Sequence, residues 1–228
     1  MQHIAIIPDG NRRWAAANKL QTFLGHRKGK DSVKSAITVC IKNNINHLSI
    51  YTFSLENFNR SEEEKNYLFS MLVQELTDTL PEMMKKGVRI RFIGDASYFP
   101  EQTKEMINTT QEETKNNDKL NLNLFFCYGA KQEMVHAARA LAKQVKDGKL
   151  NIDDINEKTI SDHLWTAGIP DPDLMIRTSD AVRISNFLLY QSAYTEFKFL
   201  NCFWPEVTEN LLQKCIDDFN GVKRNFGS

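Results

Sequence analysis

Short β-like runs alternate with long helical stretches along this chain, and that alternation narrows the folds open to it more than any single motif does. Segments 3–7, 48–53, 88–93, 122–127, 174–177 and 196–200 carry the branched and aromatic residues of strands. Helical patterns occupy 13–19, 28–43, 62–86, 101–115, 132–146, 161–165 and 207–226. Strands separated by helices predict an α/β layer fold with a central, mostly parallel sheet flanked by helices and joined by right-handed crossovers. No repeat, low-complexity block or linker interrupts the sequence, so residues 1–228 read as a single domain.

Composition then removes several functions. Lys+Arg and Asp+Glu both number 29, leaving no surplus of cations to displace counterions from nucleic-acid phosphates. The longest apolar runs fall far short of the ~20 residues that cross a bilayer. No basic stretch precedes an apolar one at Met1, so the expectation is a cytoplasmic protein without a signal peptide. Cys40, Cys127, Cys202 and Cys215 lie far apart without zinc-finger spacing and read as reduced packing residues.

The helical pattern at 62–86 opens on a capping box, Ser61 with Glu64 three residues on. Along it Tyr67, Leu68, Met71, Leu72, Leu76, Leu80, Met83 and Met84 recur at three- and four-residue steps. Such a stripe is either an ordinary core face or the wall of a tunnel for a flexible apolar ligand, since methionine adapts to irregular shapes. Periodicity does not separate the two.

Three segments carry polar chemistry. The first strand runs into IIPDGNRRW, which places Asp9, Gly10 and Asn11 at the carboxyl edge of a parallel strand, just before a helix whose first amides point outward. From Asn11 through Lys30 there are six cations (Arg12, Arg13, Lys19, Arg27, Lys28, Lys30) and no acid, a focused anion site in a chain of zero net charge. The second strand leads into SIYTFSLENFNR, bringing Ser54, Glu56, Asn57 and Arg60 to the same edge beside Phe53 and Phe58. The third segment, PDPDLMIRTSDAVRISNFLLYQSAYTEF, offers Arg177 at a strand end, Arg183 and Ser185 opening a helix, and Glu196 on a further strand. Paired guanidinium donors match phosphate oxygens, so this is a second anion clamp. Two anion sites separated by apolar walls point to a reaction joining two phosphorylated, greasy substrates.

The blocks HIAIIPDGNRRWA, GHRKG, YTFSLENFNR, IRTSDAVRISNFLLYQSAYTEF and FWPE, in this order and spacing, resemble the cis-prenyltransferases of the undecaprenyl diphosphate synthase type. The resemblance implies a homodimer built on a six-stranded sheet with an elongated hydrophobic tunnel. It implies Mg²⁺-dependent condensation of isopentenyl diphosphate with an allylic diphosphate such as farnesyl diphosphate. Release of an apolar product adds peripheral contact with a membrane to the expected partners. By the same resemblance, Asp9 and Glu196, the latter from the partner subunit's neighbourhood, would hold the metal. Gly10, Asn11, Arg12, Arg13 and Trp14 would cradle the allylic diphosphate, with His26 binding phosphate and handling a proton. Ser54, Leu55, Glu56, Asn57, Phe58 and Arg60 would surround the reacting carbons, with Asn57 assisting proton removal. Arg177, Arg183, Ile184 and Ser185 would grip isopentenyl diphosphate.

Four positions depart from the family pattern. Thr22 stands where an arginine usually precedes the GHxxG histidine, Arg12 replaces the second glycine of DGNGRW, and Leu55 replaces a serine or threonine. The usual RTGGE reads Arg177-Thr178-Ser179-Asp180-Ala181. These departures leave open a short-chain or branching synthase of the lavandulyl type, or a non-catalytic partner subunit. Neither His3, His47, His136 nor His163 has metal-ligand spacing.

Overall fold

The computed structural model describes residues 1–221. Its strands are β1 His3–Ile7, β2 His47–Ser54, β3 Val88–Ile93, β4 Leu120–Tyr128, β5 Leu174–Arg177 and β6 Glu196–Phe199. They form one six-stranded sheet in the order β3-β4-β2-β1-β5-β6, and every pairing is parallel. β1 and β5 are buried along their whole length, as expected of continuous apolar strands covered on both faces. The chain leaves β1 toward β2 on one side and later returns to β5 on the other, so the strand order reverses beside β1. Ligands of open α/β sheets bind at the carboxyl ends of the strands at such a point.

The helices are α1 Asn11–Ala17, α2 Thr22–Lys42, α3 Glu62–Lys86, α4 Glu101–Thr114, α5 Ala130–Lys146, α6 Glu157–Ser161 and α7 Glu209–Asn220. α3 has the ends its sequence predicts. The Ser61 hydroxyl accepts from the Glu64 amide, three acids fill the first turn, Lys85 and Lys86 the last, and Gly87 closes it in the left-handed region at φ 68°. Leu68, Leu76 and Met83 of its apolar stripe are buried, whereas Met84 faces solvent.

Several expected boundaries move. α2 begins six residues before the anticipated start at 28, so the whole of GHRKG lies inside the helix rather than its last two residues alone. α6 ends at Ser161, where a helix was expected to begin, because Asn156 caps it early through the Thr159 amide. No helix opens at Arg183 to Ser185: Ser185, Asn186 and Leu188 all have positive φ, so the segment is a chain of turns. The anticipated end of the last helix, 222–226, lies outside the described residues. All four cysteines are free thiols, three of them buried.

Candidate active site

The carboxyl ends of β1 and β5 meet at one ion pair. Arg177, the last residue of β5, is 4% exposed and donates through Nη2 to Asp9 Oδ2 at 2.7 Å. Its Nη1 donates to the Arg183 carbonyl at 2.6 Å and to Ser185 Oγ at 2.7 Å. The positive φ of Ser185 therefore serves the site, since it folds the loop back onto the buried guanidinium. Thr178 clamps the Asp9 backbone from both sides, its hydroxyl donating to the Asp9 carbonyl at 2.7 Å while accepting from the Asp9 amide at 2.9 Å. Asp9 is thus held rigidly while its side chain stays 29% exposed.

α1 starts immediately after. Gly10 has φ 102°, and a Cβ there would lie 2.7 Å from the Phe203 ring. The two glycines of GHRKG explain how α2 reaches this helix: a Cβ at Gly25 would lie 2.0 Å from the Asn11 carbonyl, and one at Gly29 would lie 2.6 Å from Asn11 Oδ1. Small residues one turn apart let two backbones touch, which brings His26 alongside Asn11. Trp204 completes the floor, its amide donating to the Asp9 carbonyl at 3.0 Å. FWPE therefore supports the Asp9 turn, a role its sequence did not disclose.

A head pocket of about 570 Å³ opens here, lined by Pro8, Asp9, Gly10, Asn11, Arg12, Arg13, Ala16, Thr22, His26 and Arg60. Three guanidiniums and one carboxylate give it a net positive field. Arg13 lies 3.5 Å from Asp9 Oδ1, donates to Asp180 at 2.7 Å and to the Ser179 hydroxyl, and stacks over Phe203 at 5.6 Å. Its pKa is raised, chiefly by the Asp180 hydrogen bond. Arg60 pairs with Glu64 at 3.0 Å, and its pKa is lowered by desolvation. Burial, then the Arg60 charge, pushes His26 down to about 4, so its imidazole is neutral near pH 7.

An apolar cavity of about 210 Å³ continues from this pocket between the sheet, α2 and α3, walled by Leu68, Met71, Leu72, Leu76 and Met83 of the α3 stripe and by Ile50, Phe53, Leu124 and Phe126 of the sheet. Pro8, Asn11 and His26 line both spaces. Among the described residues, six buried side-chain polar atoms have no hydrogen-bond partner, and three of them, Asn11 Oδ1, His26 Nε2 and Arg177 Nε, belong to this site. Unpaired buried polar atoms are costly, so their gathering here fits groups that a ligand completes.

The segment after β2 turns through a short 3-10 helix, Leu55–Asn59. Asn57 Oδ1 accepts from the Ser54 amide at 3.1 Å, so this residue shapes the turn. Glu56 accepts from Asn186 at 2.8 Å, which ties this segment to the loop of Arg183 and Ser185. Phe58 packs edge-on against Phe53 at 5.3 Å. Arg12 and Arg183 are exposed, Trp14 and Ile184 half-buried. The structure thus brings parts of all three segments to one sheet edge, with Glu196 apart, but Trp14, Ser54, Leu55, Glu56, Asn57, Phe58, Arg183 and Ile184 do not line the head pocket. Glu196 pairs with Leu174, which pairs with Ile4, so it sits at the opening end of the strands while Asp9 follows their closing end.

The cation run is also divided. Lys28 pairs with Asp31 on the surface, and Lys30 turns to Glu75 at 2.9 Å beside the apolar cavity, so neither lines the head pocket. No group of three or more His, Cys, Asp or Glu among the described residues is placed to hold a metal ion. Among the described residues, Asp9 is the one carboxylate lining the head pocket. A hard divalent cation bound by one carboxylate and completed by substrate phosphates and water fits that donor set.

Residues 7–227 match the prenyltransferase family model described as "Putative undecaprenyl diphosphate synthase". An isoprenyl transferase of Clostridium perfringens is 42% identical over 226 residues, covering 99% of this chain and 89% of the relative. The chain belongs to this prenyltransferase family. A second relative of the prenyltransferase, 38% identical over 99% of this chain and 91% of its own length, is a ditrans,polycis-undecaprenyl-diphosphate synthase, (2E,6E)-farnesyl-diphosphate specific, of Micrococcus luteus. Among solved structures, lavandulyl diphosphate synthase from Lavandula x intermedia in complex with dimethylallyl diphosphate matches it with a TM-score of 0.96 and 33% identity, over 100% of this chain and 98% of the other. A probable undecaprenyl diphosphate synthase from Campylobacter jejuni matches with a TM-score of 0.83 and 33% identity, over 100% and 99%.

Proposed function

We infer that this prenyltransferase extends an allylic diphosphate, such as farnesyl diphosphate, by cis addition of isopentenyl diphosphate. The observation that carries this reading is the junction at Pro8, Asn11 and His26, where a cationic head pocket passes into an apolar cavity. An amphiphile with a diphosphate head and an isoprenoid tail fits that polarity along its length. Its head would rest on the α1 amides and on Arg12, Arg13 and Arg60, with His26 Nε2 as a further contact. Isopentenyl diphosphate would take the exposed Arg183 and Ser185, held in register by Arg177.

Mg²⁺ bound through Asp9 would neutralise charge on the leaving diphosphate. The chain's own part is positioning. Arg177 would hold the Asp9 carboxylate and Thr178 its backbone, while the cations of α1 and Arg60, just ahead of α3, would stabilise the departing anion as the allylic C–O bond breaks. The terminal alkene carbon of isopentenyl diphosphate bonds to the allylic carbon, and a proton is lost from that unit beside Ser54 and Asn57. The neutral His26, in a pocket that gains negative charge, is suited to taking up a proton or hydrogen-bonding phosphate.

Glu196 would join Asp9 only through a second copy of the chain, and a homodimer is the assembly this reading requires. Phe197 (41%) on the edge strand β6 and Tyr194 (73%) just before it are exposed and supply apolar surface for that assembly. No described helix is long and apolar enough to cross a membrane. A cytoplasmic enzyme touching the bilayer from one side suits an apolar product.

A second reading, a short-chain or branching synthase, is favoured by the 0.96 TM-score to lavandulyl diphosphate synthase. Product mass and branching from isopentenyl diphosphate with farnesyl, geranyl or dimethylallyl diphosphate separate the two. Linear products extended by several C5 units support elongation. A branched product from dimethylallyl diphosphate alone overturns it.

A further inference from the structure

We propose that the Lys30–Glu75 ion pair sets how long a chain this enzyme makes, an inference that rests on the elongation reading above. Both residues line the apolar cavity, Lys30 from α2 and Glu75 from α3, with Nζ and Oε1 2.9 Å apart. Their side chains are 39% and 26% exposed, so the pair sits where the cavity meets solvent between the two helices. Lys30 lies four residues beyond His26, about 6 Å along the helix from the junction with the head pocket. A tail fed from that junction reaches the ion pair early.

The cavity holds only about 210 Å³, below the roughly 300–1,000 Å³ of ordinary ligand pockets. A lengthening chain must therefore part α2 from α3 or lie against the pair. The first breaks a charge-assisted contact. The second strips water from two charges, a cost of the same order as the gain from burying one further C5 unit. Lys34, one turn onward on α2, also lines the cavity and pairs with Glu82 at 3.2 Å, adding a further charge along the path. The Lys30–Glu75 pair is thus a step against which elongation slows, and release of the product competes better there.

The test compares wild type with Lys30→Ala/Glu75→Ala, which removes both charges and leaves neither orphaned, and with the swap Lys30→Glu/Glu75→Lys. Products from farnesyl and isopentenyl diphosphates are sized by mass. The main product should lengthen by at least one C5 unit in the double alanine variant and return to the wild-type length in the swap. An unchanged size distribution overturns the proposal. A wild-type enzyme that adds no isopentenyl unit to any starter instead overturns the elongation reading. In that case affinities for saturated C10, C15 and C20 alkyl diphosphates decide the matter without turnover: affinity should level off at a shorter chain in wild type than in the double alanine variant, and identical series refute the role of the pair.

Discussion

Replacing Gly25 by alanine sets two well-measured effects against each other with opposite signs. In an unobstructed helix interior the change stabilises by about 0.8–1.0 kcal/mol, because glycine carries more backbone entropy into the unfolded state. Gly25 is the fourth residue of α2, at the end of its first turn, so the interior value is the upper limit of this gain. The new Cβ would lie 2.0 Å from the Asn11 carbonyl oxygen and 2.8 Å from its carbon, and real contacts essentially never fall under 3.0 Å. α1 must retreat by at least 3.0 − 2.0 = 1.0 Å, and it carries Asn11, Arg12 and Arg13 with it. Overpacking of this kind costs about 1–3 kcal/mol. After offsetting the propensity gain, the net effect spans about zero to 2 kcal/mol of destabilisation, or up to about 8 °C in Tm for a chain of this size. A 1 Å displacement of positioning groups costs about a hundredfold in rate, so kcat/KM with the allylic diphosphate should fall about that far. Thermal unfolding and steady-state kinetics on the same preparation read both. A variant with raised Tm and unaltered kinetics would show that the α1–α2 contact is not what fixes the head pocket.

Asp9→Asn should lower kcat by roughly a hundred- to a thousandfold with little change in allylic diphosphate affinity, since on the proposed reading its carboxylate would act on charge that develops as the C–O bond breaks. Unaltered kcat would remove Asp9 from the reaction. Arg13→Ala should raise KM for the allylic substrate and Arg183→Ala that for isopentenyl diphosphate, each about ten- to a hundredfold, from the 1.5–3 kcal/mol of a charge-assisted bond. Equal effects on both substrates would mean that the subsites are assigned wrongly. Burial lowers His3 and His26 from 6.5 to about 4, so the folded state refuses a proton that the unfolded chain accepts. Their contribution is intact above pH 6.5 and is lost as pH falls toward 4. Each should remove about 2 kcal/mol between pH 7.5 and 5. Urea unfolding of His26→Asn at the two pH values should show about half the wild-type loss from this pair, and an undiminished loss would refute the assignment.

The sheet was legible because strand and helix differ in period: β1, β3, β5 and α3 begin and end where their patterns predict. What escaped reading was set by contacts distant in sequence. α2 starts early because Gly25 and Gly29 lie against Asn11, and nothing in the local pattern of GHRKG announces a helix crossing. The segment from Arg183 to Leu188 looks helical by composition, yet the buried Arg177 guanidinium draws the Arg183 carbonyl and Ser185 hydroxyl inward and forces positive φ. Sequence placed Lys30 among the phosphate-binding cations because it could not foresee Glu75 on the facing helix. Glu133, given no role beforehand, is fully buried and accepts from Tyr128, Thr166 and Gln191, which makes it a tie between α5 and the segment leading to β5.

The altered loop after β5 gains a physical meaning from the same geometry. Asp180 and Ser179, standing where the family has two glycines, both hold Arg13, and Asp180 titrates below the usual carboxylate range because of that guanidinium. Arg13 also faces Asp9, whose other oxygen is bound by Arg177. Asp180, Arg13, Asp9 and Arg177 therefore form one alternating chain of charges from α1 to the end of β5. On the proposed reading, a diphosphate entering the head pocket would compete for Arg13 against a solvent-exposed carboxylate, which holds its partner weakly. It does not have to displace the buried Arg177 to do so. The two arginines thus differ in burial, Arg177 holding Asp9 from within the protein and Arg13 from its surface, and on that reading Arg13 is the one that would change partners.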